Sequence, residues 1–210
     1  MSDTSIADRN LAMEAVRVTE AAALAGSRFM GRGDERVADE AALDAMHAAL
    51  ASLAIEGTVR IGEGLEGEVA KLYVGEKVGS GAGLKMDVAA MALEGPTIIA
   101  KGEPNGLSVI ALTEQDGFLD VPALYMDKIA IGAGLPADLV DLDETPDKNL
   151  RALAKAKGAE VGDMVACILD RPRHADLIAK TREAGARIML IRDGDVSGVI
   201  ATTWPEAGVD

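Results

Sequence analysis

Cysteine is almost absent from this chain. The single Cys167 rules out an intramolecular disulfide framework and fits a reducing compartment. Aromatic residues make up only 2% of the 210 positions, so a core must be assembled from Ala, Leu, Val, Ile and Met within a hydrophobic content of 49%. No apolar run reaches the roughly 18 residues of a membrane-spanning helix, because charges interrupt each one first. The stretch from Met1 to Arg9 has neither the basic nor the apolar region of a secretory signal, so a cytoplasmic location is expected. Basic stripes are missing too. With 35 acidic residues against 21 Lys and Arg, the net charge is −14, which argues against nucleic acid or an anionic membrane as a partner. With two histidines and one cysteine, no Ser-His-Asp or Cys-His nucleophile set is suggested. The glycine-rich run 79–83 matches neither a phosphate loop nor a dinucleotide fingerprint. The charge still permits an anionic small substrate if metal ions and local arginines offset the field. Surplus acid is also what divalent-cation binding requires.

What is present reads as alternating helical and extended patterns. Residues 8–30 repeat Leu11, Ala15, Val18 and Ala22 at helical spacing, and residues 37–53 repeat Ala38, Ala42, Met46, Leu50 and Leu53. Asp39 is expected in the first turn of this second helix. Strands are expected at 58–61, 72–74 and 87–93, the last buried on both faces because it lacks polar alternation. A short helix is expected from Pro96, a hairpin at 107–113 and 117–121, a strand at 125–131, and a helix at 146–157 closed by Gly158. From about residue 161 the pattern is β-α-β: strand 164–169, helix 173–184, strand 186–191, then a helix at 196–203. The expected class is α/β, with an α+β domain at 1–160 and a partial α/β domain at 161–210. Cys167 falls inside an apolar run and is expected to be a buried small hydrophobe.

Residues 86–97 are the most informative stretch. An uncharged strand runs into Glu94, then Gly95, then the helix-starting Pro96. Such a turn can set a carboxylate for a hard cation beside helix N–H groups for a phosphate. Four acidic residues stand where elements end: Asp39, Glu63, Asp87 and Glu94. A site built from them would be all oxygen and would select Mg²⁺ or Mn²⁺ over Zn²⁺ or Cu²⁺. The alternative is that they are ordinary solvated turn carboxylates. His47, within a helix, is expected to be a surface or half-buried structural residue. Arg173 and His174 open a helix after a strand, suited either to a phosphate or to a capping role. Asp193-Gly194-Asp195 suits sugar hydroxyls, a metal ion or a plain turn.

Beyond these local signals, a series of short markers runs in order along the chain: Arg17-Val-Thr-Glu20, Ala23-Leu-Ala-Gly26, Gly31-Arg-Gly-Asp34, Ala38-Asp39, Ile61-Gly-Glu-Gly64, Gly75-Glu-Lys-Val-Gly79, Asp87-Val-Ala, Leu93-Glu-Gly95, Tyr125-Met, Pro172-Arg-His174 and Asp193-Gly-Asp195. In this the chain resembles class II fructose-1,6-bisphosphatase, of the bacterial sugar-phosphatase superfamily. The resemblance covers nearly the whole sequence. It implies a layered α/β sandwich and removal of the 1-phosphate of fructose 1,6-bisphosphate, with sedoheptulose 1,7-bisphosphate as a further substrate. It implies Mg²⁺ or Mn²⁺ held by Asp39, Glu63 and Glu94, with Glu63 and Glu94 also catalytic. Substrate contacts are implied for Glu94, Gly95 and Pro96, and for Tyr125, Arg173, His174, Asp193, Gly194 and Asp195. The implied chemistry is in-line attack of a metal-activated water on phosphorus.

The sequence also departs from that pattern. Met91 stands where the family's signature turn has an aspartate ligand, and Pro96 where it has a threonine. A thioether does not replace a carboxylate for a hard cation, and proline offers neither hydroxyl nor N–H. Leu65 and Gly67 stand where acidic residues are frequent, and Ala175 where an aspartate often follows Arg-His. Family members continue beyond this endpoint to complete the second domain. Besides the substrate, a protein partner is therefore expected: either further copies of the chain in a homo-oligomer or a chain that completes the second domain. The alternative reading is a non-catalytic homologue that binds or oligomerises. An inositol-phosphate or nucleotide phosphatase of the same superfamily is a third.

Overall fold

A computed structural model of the chain describes residues 5–122 and 124–210. Met1 to Thr4, part of the stretch read for targeting signals, lies outside the described residues. The chain divides into two compact units, Met1–Pro122 and Ala123–Asp210. The expected domain division was at 160/161.

The first unit begins with α1 (Ser5–Ser27) and α2 (Glu35–Leu50). Asp34 starts α2 by accepting the Val37 N–H at 3.0 Å, the capping contact a short carboxylate makes best. Asp39 is therefore the fifth residue of α2 and not in its first turn. Of the expected apolar face, Ala38, Ala42, Met46 and Leu50 are fully buried against Val18 and Ala22 of α1, whereas the helix ends at Leu50 and Leu53 is buried from the turn that follows.

Both helices pack on a four-stranded sheet made of β1 (Ile55–Ile61), β2 (Lys77–Val78), β3 (Leu84–Glu94) and, after the short helix α3 (Pro96–Lys101), β4 (Leu107–Glu114). The order is β2-β1-β3-β4, with β1 parallel to β3 and both outer pairs antiparallel. Side chains alternate along a strand, so Met86, Val88, Ala90 and Ala92 enter the helix-facing core while Asp87, Ala89 and Met91 take the other face. The core holds no Tyr or Trp, and aliphatic and methionine side chains fill it.

Three expected strands are not formed. At 72–74 there is only a single bridge, Tyr73 with Gly64, and the strand comes later, at β2. Residues 117–121 do not return along β4. The turn at Glu114 closes, with Gly117 N–H on the Glu114 carbonyl at 3.0 Å, but the chain then leaves the sheet edge and Leu119 is 82% exposed. The described residues of 125–131 are irregular. Segments 117–121 and 125–131 have β-forming residues but no partner strand, and a strand without a ladder has nothing to satisfy its backbone groups.

The second unit contains α4 (Pro146–Lys157), β5 (Val165–Leu169), α5 (Ala175–Glu183), β6 (Arg187–Ile191) and α6 (Asp195–Ala201). The bounds of α4 are the expected ones, set by Thr145 at its N-cap, Pro146 in its first turn and left-handed Gly158 at its end. β5 and β6 are parallel and joined through α5, as the β-α-β pattern requires. A 3-10 turn at Pro172–His174 precedes α5, so the expected single helix from 173 is two pieces. Leu153, Ala154, Met164 and Ala186 form the local core. Cys167 is only half-buried, against Gly198 of α6, and burial pushes its thiol up from the usual range.

Candidate active site

In the first unit the carboxylates sort into two groups. β1 ends at Ile61, whose partner on β3 is Ala89. The Ala92 N–H lies beyond that last pair and donates to Glu63 Oε1 at 2.8 Å. A register shift in the β3–β4 pairing falls at the same place, between Met91 and Glu94. One ladder thus ends and the other slips register where a side chain takes over a backbone donor. Burial raises the Glu63 carboxyl above its ordinary range. The Ala92 N–H offsets part of this, and the negative charge of Asp39 adds to it. Asp39 is also raised, by burial first and by Glu40 second. The two carboxylates therefore sit in one partly desolvated field.

Glu94, the last residue of β3, is 5% exposed. Gly95 follows in the left-handed region, φ 92°, where an added Cβ would also meet Ile98 Cδ1 at 2.8 Å. Its carbonyl receives the N–H groups of Ile98 and Ile99, closing the first turn of α3. Pro96 at the head of α3 suits helix geometry, so the turn keeps its shape without a hydroxyl there.

Asp87 belongs elsewhere. It lies seven residues before Glu94, about 23 Å along an extended strand. It is 3% exposed, accepts the Asp116 N–H at 2.8 Å, and faces Arg60 at 3.5 Å. Arg60 also reaches Asp116, at 3.6 Å. Asp87 thus holds the turn after β4 and is not part of the candidate site. Met91 sits on the face of β3 away from the helices, 41% exposed. Among the described residues, no three His, Cys, Asp or Glu side chains are gathered as a metal-binding group. The chemistry of Asp39 and Glu63 nevertheless fits a hard divalent ion: two oxygen donors, partly desolvated, raised by burial and by neighbouring negative charge.

In the second unit the expected residues gather at the C-terminal ends of two parallel strands, the usual ligand edge of such sheets. After β5, Asp170 N–H reaches the Ile191 carbonyl at 2.7 Å and ties the two exit loops together. Arg173 lies over the Tyr125 ring at 5.3 Å, although Tyr125 is 95% exposed. His174 is anchored through Nδ1 to the Leu169 carbonyl at 2.9 Å. After β6, Asp193 Oδ1 accepts the Gly194 N–H at 3.1 Å, Gly194 is left-handed, and Asp195 begins α6. The contact between Tyr125 and Arg173 joins residues nearly fifty positions apart, and no spacing in the sequence announces it. His47 is half-buried beside Glu76, 2.9 Å from Nε2 to Oε1, in keeping with the structural role expected for it. Glu76 stood in the sequence only as part of a marker, with no role attached.

Residues 9–210 match the model of the family described as bacterial fructose-1,6-bisphosphatase, glpX-encoded. The chain belongs to this family. It is 43% identical over 202 residues to the fructose-1,6-bisphosphatase 1 class 2 of Escherichia coli (strain K12), and equally to the fructose-1,6-bisphosphatase class 2 of Shigella flexneri. Each match covers 96% of this chain and 60% of the relative, so the chain spans about three fifths of the length of the curated relatives it matches. The resemblance drawn from the ordered markers is thereby established as membership of the bacterial fructose-1,6-bisphosphatase family, and the α/β class agrees with the helices and mixed sheet. No helix among the described residues is long and apolar enough to cross a membrane.

Proposed function

We propose that the chain hydrolyses the 1-phosphate of fructose 1,6-bisphosphate, giving fructose 6-phosphate and inorganic phosphate, with sedoheptulose 1,7-bisphosphate as a second substrate. The observation that carries this reading is Glu63, seated on the Ala92 N–H and facing the charge of Asp39, in a chain of this family. Asp39 and Glu63, with Glu94 at the end of β3, would hold Mg²⁺ or Mn²⁺. When bound, such an ion supplies charge neutralisation at the phosphoryl group and a more acidic water. Glu63 and Glu94 orient the attacking water by accepting its hydrogen bonds. The turn at Gly95 and Pro96 receives the phosphate. In the second unit, Arg173 donates to phosphate oxygens, held in place by the Tyr125 ring. Asp193 and Asp195 accept from sugar hydroxyls, Gly194 lets the backbone approach closely, and Tyr125 and His174 complete the polar contacts.

Met91 and Pro96 supply neither a hard ligand nor a hydroxyl, so the rate belongs below that of a variant carrying both. A homo-oligomer and a cytoplasmic setting form part of the same proposal, the latter supported by the single cysteine. No observation favours the non-catalytic alternative. The test is phosphate release from fructose 1,6-bisphosphate with Mn²⁺ or Mg²⁺, beside Glu63→Gln. Metal-dependent release that falls at least about 100-fold in the variant supports the reading. Release that is indifferent to metal, or equal in the variant, refutes it.

A further inference from the structure

Glu63 is not held by its own strand alone. Its N–H donates to the Leu72 carbonyl at 2.9 Å, and the Val74 N–H donates to the Gly64 carbonyl at 3.0 Å, so loop 62–64 is registered against segment 72–74. Leu72 is an uncommon piece of backbone. It is a non-glycine residue in the left-handed region, φ 53°, with its side chain fully buried in the first unit's core. A large residue persists there only where its surroundings over-determine it.

Glu76 is what fixes it. Its Oε2 accepts the Leu72 N–H at 2.5 Å, and its Oε1 lies 2.9 Å from Nε2 of His47 on the last turn of α2. The Glu76 backbone is pinned in turn. Its carbonyl accepts the Val59 N–H at 2.9 Å, and the Gly75 N–H returns to the Val59 carbonyl at 2.8 Å. A largely buried carboxylate thus spends both oxygens on bracing one strained residue against a helix and a strand end.

We infer that Glu76, braced by His47, is a positioning residue for Glu63. By holding Leu72 in its left-handed state it fixes the carbonyl from which Glu63 hangs, and so the placement of the Glu63 carboxylate on the Ala92 N–H beside Asp39. The inference rests on the reading of Glu63 as a ligand to a divalent ion. Groups that orient metal ligands in this way carry about 10–100-fold of metal affinity in general.

The experiment is a Mn²⁺ titration of the chain, followed by the signal of the free ion, over a double-mutant cycle of Glu76→Ala and Glu63→Gln, with metal-free melting temperatures recorded. Glu76→Ala is expected to weaken Mn²⁺ binding about 10-fold or more. Glu76→Gln keeps an acceptor for the Leu72 N–H and recovers most of the loss. Glu76→Ala adds nothing once residue 63 is Gln. Unchanged Mn²⁺ affinity in Glu76→Ala, with a lowered melting temperature, overturns the inference, because Glu76 then only stabilises its loop. Equal losses in both backgrounds overturn it too, because Glu76 then acts elsewhere than through Glu63. If Glu63→Gln itself binds Mn²⁺ as well as the native chain, the ligand reading falls and the inference with it. Failure confined to the Glu76 variants leaves that reading standing. Should Glu76→Ala not fold, His47→Ala is measured in its place: a loss of a few-fold is expected, and unchanged affinity overturns the inference.

Discussion

Replacing Gly62 by alanine tests whether the approach of loop 62–64 to Leu72 sets the candidate site. Nothing in the backbone conformation of Gly62 forbids a side chain, since its φ is not positive. The obstacle is space. An added Cβ would lie 1.9 Å from the Leu72 carbonyl oxygen and 2.8 Å from Val59 Cγ1. An ordinary contact needs about 3.5 Å, so one side must retreat by more than an ångström. Leu72 cannot do so, being fully buried and held by Glu76. The loop must move instead, breaking the Glu63 N–H bond to Leu72 and drawing the carboxylate off Ala92. Overpacking of this kind costs about 1–3 kcal/mol, and the lost hydrogen bond adds about 1 kcal/mol. The expected destabilisation is about 2–4 kcal/mol, or a drop of about 8–15 °C in the first unit's melting temperature. Gly64→Ala is the control, because its Cβ would meet side-chain atoms alone, tightest at a Val69 methyl 3.1 Å away. That methyl can yield, and a cost near 1 kcal/mol is expected. Calorimetry with and without Mn²⁺ reads both effects. A Gly62→Ala chain within about 0.5 kcal/mol of the native one, with undiminished Mn²⁺ affinity, would refute the reasoning.

Further outcomes follow from the same geometry. Burial and Glu40 raise the Asp39 carboxyl, so the metal-free fold binds a proton there more tightly than the unfolded chain does. Stability is therefore lost as pH rises from the ordinary carboxylate range, about 4, through the raised value. Asp39→Asn should raise the melting temperature in EDTA at pH 8 and change it little at pH 4. It should also forfeit the roughly 2.7 kcal/mol that Mn²⁺ at a hundred times its dissociation constant confers, and a lower melting temperature in EDTA at pH 8 would contradict this. Met91→Asp with Pro96→Thr restores a hard ligand and a hydroxyl at the turn. It is expected to raise kcat/KM for fructose 1,6-bisphosphate by at least about 100-fold, and no gain would show that those positions carry no catalytic group. Burial opposes the charge on Asp210, but Lys157 and the Val165 N–H, with the charges of Lys157 and Arg187, outweigh it and lower the carboxyl. That contribution is present above the ordinary carboxylate range and lost as pH falls through the lowered value. Asp210→Asn should cost the second unit about 1–3 kcal/mol at pH 7 and less at pH 3. Urea denaturation followed by the fluorescence of Trp204 measures the difference, and equal losses at both pH values would exclude the ion pair as its source.

Much of this molecule is written in local signals. The helix at 146–157 could be read to the residue because Pro146 and Gly158 act on neighbouring backbone groups whatever else the chain does; the Thr145 cap is a further local signal that the structure added. The apolar face of α2 and the buried, helix-facing side of β3 follow from side-chain periodicity, and the ordered markers carried the family; the burial expected on the second face of β3 is not met throughout, since Met91 there is 41% exposed. Strands were less legible. Residues 117–121 and 125–131 have the composition of strands, but a strand exists only with a partner, and none is supplied. The acids divided for a similar reason. Asp39, Glu63, Asp87 and Glu94 look alike as carboxylates at element ends. Only the packed sheet sends Asp87 to Arg60 and Asp116, and sets Glu63 on Ala92 within the field of Asp39. The sequence by itself determined the helix at 146–157 and its glycine stop, the approximate places of the other helices, the aliphatic core and the family, because these depend on residue type and short spacing. The tertiary structure alone decided which carboxylates share a field, why residue 62 must be glycine, and that Glu76 braces Leu72, because each depends on atoms brought together across long stretches of chain.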